Sequence, residues 1–244
     1  MAIGSVAHHD SIASTSNLST YGGATSAPTA NRLIIACIQA NGGTAGNTTI
    51  SSLSGYGLTW TAVHGPVNID TTGAATADVW LYAADTGGSP SSTAFSVTFA
   101  AARTGALVSI FTADGADFSG GISSAFVQFV DRNMADGGTA TGGTITLASA
   151  GHADNRSFGW FNHEANEAST VGTSFTAIRG ATAGELNHNN PNSGCLSEWR
   201  SDTFDTSVDA SWAGTNLWGG FAFELKAVTG GGPSTRVLTI LSGV

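Results

Sequence analysis

The sequence predicts an all-β protein, a two-sheet β-sandwich of jelly-roll type built from two similar halves. Short apolar or alternating stretches recur between Gly-, Ser- and Asn-rich turns, and no window of useful length has helical periodicity. Only 10% of the residues are charged, whereas about 25% is usual. Thr and small residues replace the long charged side chains that helices prefer, and they suit strands and tight turns.

An internal repeat predicts the two halves. Four strand-like segments recur in the same order about 115 residues later. The pairs are 60–63 with 175–178, 79–82 with 195–199, 97–99 with 208–212, and 107–111 with 221–225. We therefore expect halves at about 1–116 and 117–228 within one sandwich over residues 1–228.

The apolar pattern places the individual strands. In the first half we expect strands at 3–7, 33–40, 50–53, 58–63, 78–83, 95–99 and 106–112. In the second half we expect them at 126–130, 144–147, 157–162, 175–178, 195–199, 208–212 and 221–225. The run at 33–40 is almost continuously apolar, which predicts a strand covered on both faces. Because no Pro-rich or charged linker separates the halves, an interleaved sandwich is favoured over halves packed side by side.

Charge and hydropathy exclude two classes of partner. The formal net charge is −9, Lys226 is the only lysine and the arginines are dispersed, so nucleic acid is not an expected partner. No apolar run approaches the ~20 residues of a membrane helix, and a membrane is not expected either. The N-terminal residues lack the basic and apolar regions of a secretory signal, which favours synthesis in a host cytoplasm.

No catalytic, cofactor or metal site is predicted. His163-Glu164, His152 and His188 match no zinc spacing, and a Gly-x-Ser-x-Gly elbow is absent. Loop carboxylates could hold calcium, although turn formation is the simpler role. They are Asp114, Asp117, Asp202, Asp205 and Asp209. The pattern favours a non-enzymatic protein.

The cysteines and aromatic residues each leave two interpretations. Cys37 and Cys195 lie in apolar segments of opposite halves, and free buried thiols are favoured over a disulfide between the halves. The tryptophans mostly recur at equivalent places, which favours a core role. An exposed row of them beside the loop 187–192 would instead favour carbohydrate binding.

The C-terminal residues 229–244 form a separate element. A Gly-rich tether, 229–234, precedes the segment 237–241, which is uncharged and consists of strong β-formers. Such a segment favours pairing with a sheet edge, so we expect it to dock on a neighbouring subunit. The docking residues are Arg236, Val237, Leu238, Ile240 and Leu241. The alternative is a strand that closes the chain's own sandwich.

The order of motifs resembles a β-sandwich module of phage virion structural and accessory proteins, also found in some bacterial surface proteins. The motifs lie at 33–40, 57–61, 79–84, 95–99, 106–117 and 217–226. The resemblance implies a virion protein, a capsid decoration or accessory subunit and otherwise a tail or neck component. It implies contacts with major capsid or tail subunits and a homo-oligomer such as a trimer. It carries over no active-site residues. The alternative is a carbohydrate- or host-receptor-binding module.

Overall fold

Alternating and continuous apolar segments form antiparallel β-strands throughout the computed structural model, which describes residues 2–42, 49–69, 77–134, 138–189 and 192–229. The strands are β1 Val6–Ser14, β2 Leu18–Gly22, β3 Leu33–Asn41, β4 Ile50–Ser54, β5 Thr61–Asn68, β6 Ala77–Asp85, β7 Ser96–Arg103, β8 Gly105–Ala113, β9 Phe126–Arg132, β10 Thr139–Thr146, β11 Arg156–His163, β12 Ser169–Val171, β13 Phe175–Arg179, β14 Asn187–Asn189, β15 Asn192–Arg200 and β16 Ser207–Leu225. A short 3-10 helix, Ile122–Ala125, precedes β9. The described part of the chain holds no helix with the length and apolar character that a bilayer crossing requires.

The first half is a two-layered sandwich. Its inner sheet has the order β1-β8-β3-β6-β5, and its outer sheet has the order β2-β7-β4. Successive residues of β3 point to opposite faces. Ile34 and Ile38 pack on the outer sheet with Phe95 and Phe99, whereas Ile35 packs towards the second half. This explains why the run at 33–40 is apolar at nearly every position.

The second half repeats this arrangement strand for strand. Its inner sheet has the order β9-β16-β11-β15-β13, and its outer sheet is formed by β10, β16 and β12. The 19-residue β16 serves both sheets, because its first part pairs with β10 and its last part with β11. It thus corresponds to β7 and β8 together. All four repeated sequence pairs fall on corresponding strands, so the predicted all-β sandwich with two similar halves is confirmed.

The two inner sheets pack face to face, so the molecule has four layers. The largest apolar cluster lies between the halves and contains Phe111, Phe158, Trp160 and Phe221. Phe111 of the first half stacks on Phe158 of the second, with ring centroids 6.0 Å apart. The main core is therefore the surface at which the halves meet.

Corresponding strand edges meet on both sides of this interface. On one side His64 of β5 stacks on Phe129 of β9 at 4.2 Å, and His64 Nε2 lies 2.6 Å from Asp131 Oδ1. On the other side β13 contacts β1. Since β5 corresponds to β13 and β1 to β9, the halves pack like the two subunits of a twofold dimer.

The halves are stacked and not interleaved. Every ladder between the named strands joins strands of one half, and a single β-bridge, Ala116 to Ala227, links the two halves. The interleaved two-sheet arrangement is thus not observed among the described residues. In a jelly roll the eight strands of a half would form two four-stranded sheets, with β5 beside β4. Here β5 pairs with β6 instead, so the jelly-roll type is not confirmed. Each half then has five strands in one sheet and three in the other. A continuous apolar run indicates that a strand is covered on both faces, but it does not say which sheet covers each face.

Candidate functional site

The docking segment predicted at Arg236, Val237, Leu238, Ile240 and Leu241 lies outside the described residues. The structure does describe how the chain approaches it. Residues 226–228 run beside the connection between the halves, where the N–H of Asp117 donates to the Lys226 carbonyl at 2.8 Å and the N–H of Val228 to the Gly115 carbonyl at 2.9 Å. The last described residues therefore lie next to that connection.

The candidate histidines do not converge. His163 is buried, its Nε2 lies 3.0 Å from the Ser169 hydroxyl, and its ring stacks on Trp212. Burial lowers the pKa of His163 to about 4, so this imidazole is neutral at physiological pH. His152 lies on a loop and accepts the N–H of Asp154. Across the described ranges, no three His, Cys, Asp or Glu side chains are grouped as metal ligands would be.

Most of the loop aspartates have cationic partners. The ion pairs are Arg32–Asp114, Lys226–Asp117, Arg200–Asp202 and Arg200–Asp205. Hydrogen bonds from Lys226, at 2.9 Å, and from Ser119 lower the pKa of Asp117 to about 2. Asp117 anchors the connection between the halves to the end of β16. These carboxylates have structural roles, which supports the turn-forming interpretation over calcium binding.

The tryptophans are core residues, as predicted. Trp80, Trp160, Trp199, Trp212 and Trp218 are buried, and Trp60 is half-buried. The segment 187–192, predicted as a loop, contains β14 and the first residue of β15. Asn187 accepts the N–H of Gly184 and donates to Asn166. Among the described residues, no solvent-facing row of tryptophans lies beside this segment.

The two cysteines are free and buried, as favoured from the sequence. Both lie at a polar seam between the halves. This seam consists of the side chains of Gln39, Asn41, Asn162, Ser193 and Cys195. The Cys195 thiol donates to Gln39 Oε1 at 2.9 Å, and Gln39 Nε2 donates to Asn41 Oδ1 at 3.1 Å and Ser193 Oγ at 3.0 Å. Burial raises the pKa of both thiols, so neither is a ready nucleophile.

Glu198 is a buried ionisable group that the sequence reasoning missed. Its side chain lies inside the second sandwich with 0% exposure. Oε2 accepts the N–H of Gly172 at 3.0 Å, and Oε1 has no hydrogen-bond partner among the described residues. Burial, and to a smaller extent the charge of Asp209, raises the pKa of Glu198 to about 8. The available signal was a carboxylate within the otherwise uncharged strand segment 195–199.

An open cavity of about 550 Å³ lies at the edge of the first half. Three segments form it: the loop before β5, the turn after β6 and the 3-10 helix. Its lining residues are Gly57, Leu58, Thr59, Thr61, Asp85, Thr86, Gly87, Gly88, Ser89 and Ile122. One carboxylate and several hydroxyl groups face it.

The outer faces of the four-layer stack carry rows of hydroxyl side chains. On the first outer sheet Ser52, Thr98 and Thr20 lie side by side on neighbouring strands, and the two threonine hydroxyls are 3.0 Å apart. On the second outer sheet Thr170 lies opposite Ser211. Both faces are therefore built largely of small uncharged side chains.

Comparisons with models of protein families, with curated proteins and with solved structures return no match to this chain.

Proposed function

We propose that this protein is a non-enzymatic structural protein of a phage virion, a capsid decoration or accessory subunit and otherwise a tail or neck component. It acts by assembly. The rigid four-layer stack serves as a spacer or plate, and its outer faces and terminal segment contact neighbouring virion proteins. The order of sequence motifs supports this placement, and the second line of support is the surface chemistry.

The single observation that carries the proposal is the row of small uncharged side chains on each outer sheet face, which on the second face is interrupted by Asp209. Lys and Glu are costly to bury in a contact because they lose hydration, whereas Thr, Ser and Ala pack closely at little cost. The rows containing Thr98 and Thr170 lie on opposite outer layers. A subunit with such faces can contact neighbours on two sides, as a symmetric homo-oligomer such as a trimer requires.

The placement of ionisable groups favours assembly over catalysis. Among the described residues, Asp117 and Arg200 are engaged in ion pairs, while His163 and Glu198 are enclosed in the core. An enzyme needs such groups to converge on a cleft that substrate can enter. Here the ion pairs stabilise the connection and the loops, and the enclosed groups lie in the interior of the sandwich.

Residues 235–244 supply the attachment in this proposal. Their sequence is apolar and β-prone, and the last described residues lie beside the connection between the halves. Strand addition to a neighbouring subunit would bury the apolar segment and pair its backbone. Assembly partners are then the major capsid or tail subunits, and the protein is made in the host cytoplasm before it enters the particle.

Mass spectrometry of purified virions tests the proposal directly. We expect the protein in particles at a stoichiometry that matches a symmetric site. Deletion of residues 230–244 should abolish incorporation without changing the melting temperature of the free protein. Absence of the full-length chain from particles would contradict the virion assignment, and unchanged incorporation of the truncated chain would contradict docking by the tail.

A charge placed on an outer face tests the surface argument separately. Thr98→Glu puts a carboxylate in the middle of the first hydroxyl row and should reduce incorporation at least about tenfold, because the charge must be buried in the contact. Thr182→Glu, on an exposed loop of the second half, is the matched control and should incorporate normally. Equal incorporation of both variants would show that this face makes no contact.

A further inference from the structure

The cavity beside β5 and β6 is held in one shape by contacts that lie behind its lining. Thr86 is buried, and its hydroxyl accepts the N–H of Arg32 at 2.8 Å and donates to the Arg32 carbonyl at 3.1 Å. Gly57 donates its N–H to the Thr93 hydroxyl at 3.1 Å. Such fixed walls reduce the ordering cost that a ligand would otherwise meet.

The turn that forms one wall requires glycine. Gly87 has a φ of 56°, its N–H donates to Asp85 Oδ1 at 2.8 Å, and its carbonyl accepts the N–H of Asn31 at 2.6 Å. A Cβ at this position would meet no atom within 4 Å. Glycine is therefore favoured here by the positive φ and not by lack of space. Because it has no side chain, the cavity stays open at this wall.

Several polar groups face the cavity without a hydrogen-bond partner among the described residues. The hydroxyls of Thr59, Thr61 and Ser89 make no hydrogen bond to other described residues, and Asp85 Oδ2 is left over when Oδ1 accepts from Gly87. These groups can both donate and accept. Leu58 supplies an aliphatic surface beside them, as does Ile122 on the opposite segment.

The lining selects one class of ligand. No Lys or Arg lines the cavity, so an anion has no counter-charge there. An ammonium group could pair with Asp85 and donate to the three hydroxyl oxygens, but as a pure donor it cannot accept from their O–H groups. A neutral sugar has hydroxyls that donate to Asp85 and exchange hydrogen bonds with Thr59, Thr61 and Ser89. It also has an apolar C–H face that fits against Leu58.

We propose that this cavity binds a neutral pyranose, the terminal sugar of a surface glycan. The volume of about 550 Å³ lies within the range of small-ligand sites and accommodates one or two sugar rings. The site differs from the loop 187–192 considered from the sequence, and it requires no exposed tryptophan. It goes beyond the assembly role, because a virion subunit with this cavity would also attach the particle to a glycan-coated surface.

Titration of the isotope-labelled full chain with methyl glycosides of glucose, galactose, mannose and N-acetylglucosamine tests the site by NMR. We expect saturable amide shifts confined to 57–61 and 85–89 for at least one glycoside, with millimolar affinity. Asp85→Asn should weaken binding about tenfold, since the charge-assisted hydrogen bond is lost. Asp154→Asn, a surface carboxylate of the second half, should bind like the wild type.

Thr59→Val is the second variant and should also weaken binding, because it removes a hydroxyl without changing the side-chain volume. Since Thr59 does not support the turn, weaker binding of this variant could not be explained by a rearrangement of the turn such as one caused by Asp85→Asn. Absence of shifts for all four glycosides at 50 mM, or shifts elsewhere on the protein, would overturn the proposal. So would saturable shifts at 57–61 and 85–89 with calcium chloride alone, because they would indicate a cation site. None of these outcomes depends on incorporation into particles.

Discussion

Replacement of the buried Glu198 by Gln should remove a pH dependence from the stability of this protein. The Glu198 carboxyl is fully enclosed, with one hydrogen bond, from the N–H of Gly172. Its pKa is raised from 4.5 to about 8 by burial and by the charge of Asp209. Gln has the same shape and can still accept from Gly172, but it cannot ionise.

The sign of the effect follows from proton binding. Between about pH 4.5 and pH 8 the folded state keeps the Glu198 proton while the unfolded state loses it. The folded state therefore binds more protons, and the free energy of unfolding falls as pH rises through this window. One pH unit corresponds to about 1.4 kcal/mol. Ionisation of Glu198 alone should therefore lower the free energy of unfolding by roughly 3 kcal/mol between pH 5 and pH 7.

Urea denaturation followed by tryptophan fluorescence at pH 5, 6, 7 and 8 measures this difference. Glu198→Gln should match the wild type near pH 5 and exceed its free energy of unfolding by roughly 3 kcal/mol at pH 7. Asp154→Asn, at a side chain that is 39% exposed, is the control and should keep the pH slope of the wild type. Parallel pH profiles for Glu198→Gln and the wild type would refute the reasoning.

Three further predictions concern the interior of the protein. The Ser109 and Ser197 hydroxyls meet at 2.8 Å across the two halves. Each single alanine variant should lower the free energy of unfolding by about 1–2 kcal/mol. The double variant should lower it by less than the sum of the two, as measured by a double-mutant cycle. The buried thiols of Cys37 and Cys195 should react with a thiol reagent at the rate of unfolding and not at the rate of free cysteine, and fast labelling of the native protein would contradict their burial. Gly220→Ala should lower the free energy of unfolding by about 2–4 kcal/mol, because φ is 155° and the new Cβ would lie 2.0 Å from the Trp160 carbonyl oxygen. An unchanged melting temperature would refute that placement.

Strands with strong apolar patterns were predictable, and those with weak patterns were not. The expected strand at 33–40 nearly coincides with β3, and the strand at 106–112 with β8. By contrast, β1 continues to Ser14, well beyond the strand expected at 3–7, and β2 was not predicted, because residues 8–22 are rich in Ser and Thr and lack a clear apolar pattern. Such segments form strands because a partner covers one face and supplies the ladder hydrogen bonds, and this information lies far away in the chain.

The candidate cavity could not be predicted from local patterns. Gly57, Asp85 and Ile122 are far apart in the sequence and meet only because β5 pairs with β6 and the connection between the halves passes their ends. Glu198 also shows the limit of local sequence patterns. Its strand position could be predicted, but its complete enclosure depends on the outer sheet that covers that face.

The sequence by itself determined the all-β class, most of the strands and the correspondence between the halves, because side-chain alternation and turn residues act over a few neighbours. Only the tertiary structure decided that the halves stack as four layers, that the polar seam around Gln39 lies between them and that Glu198 is enclosed. Strand alternation specifies which side chains share a face. The sheet that covers that face is chosen by the packing of the whole chain.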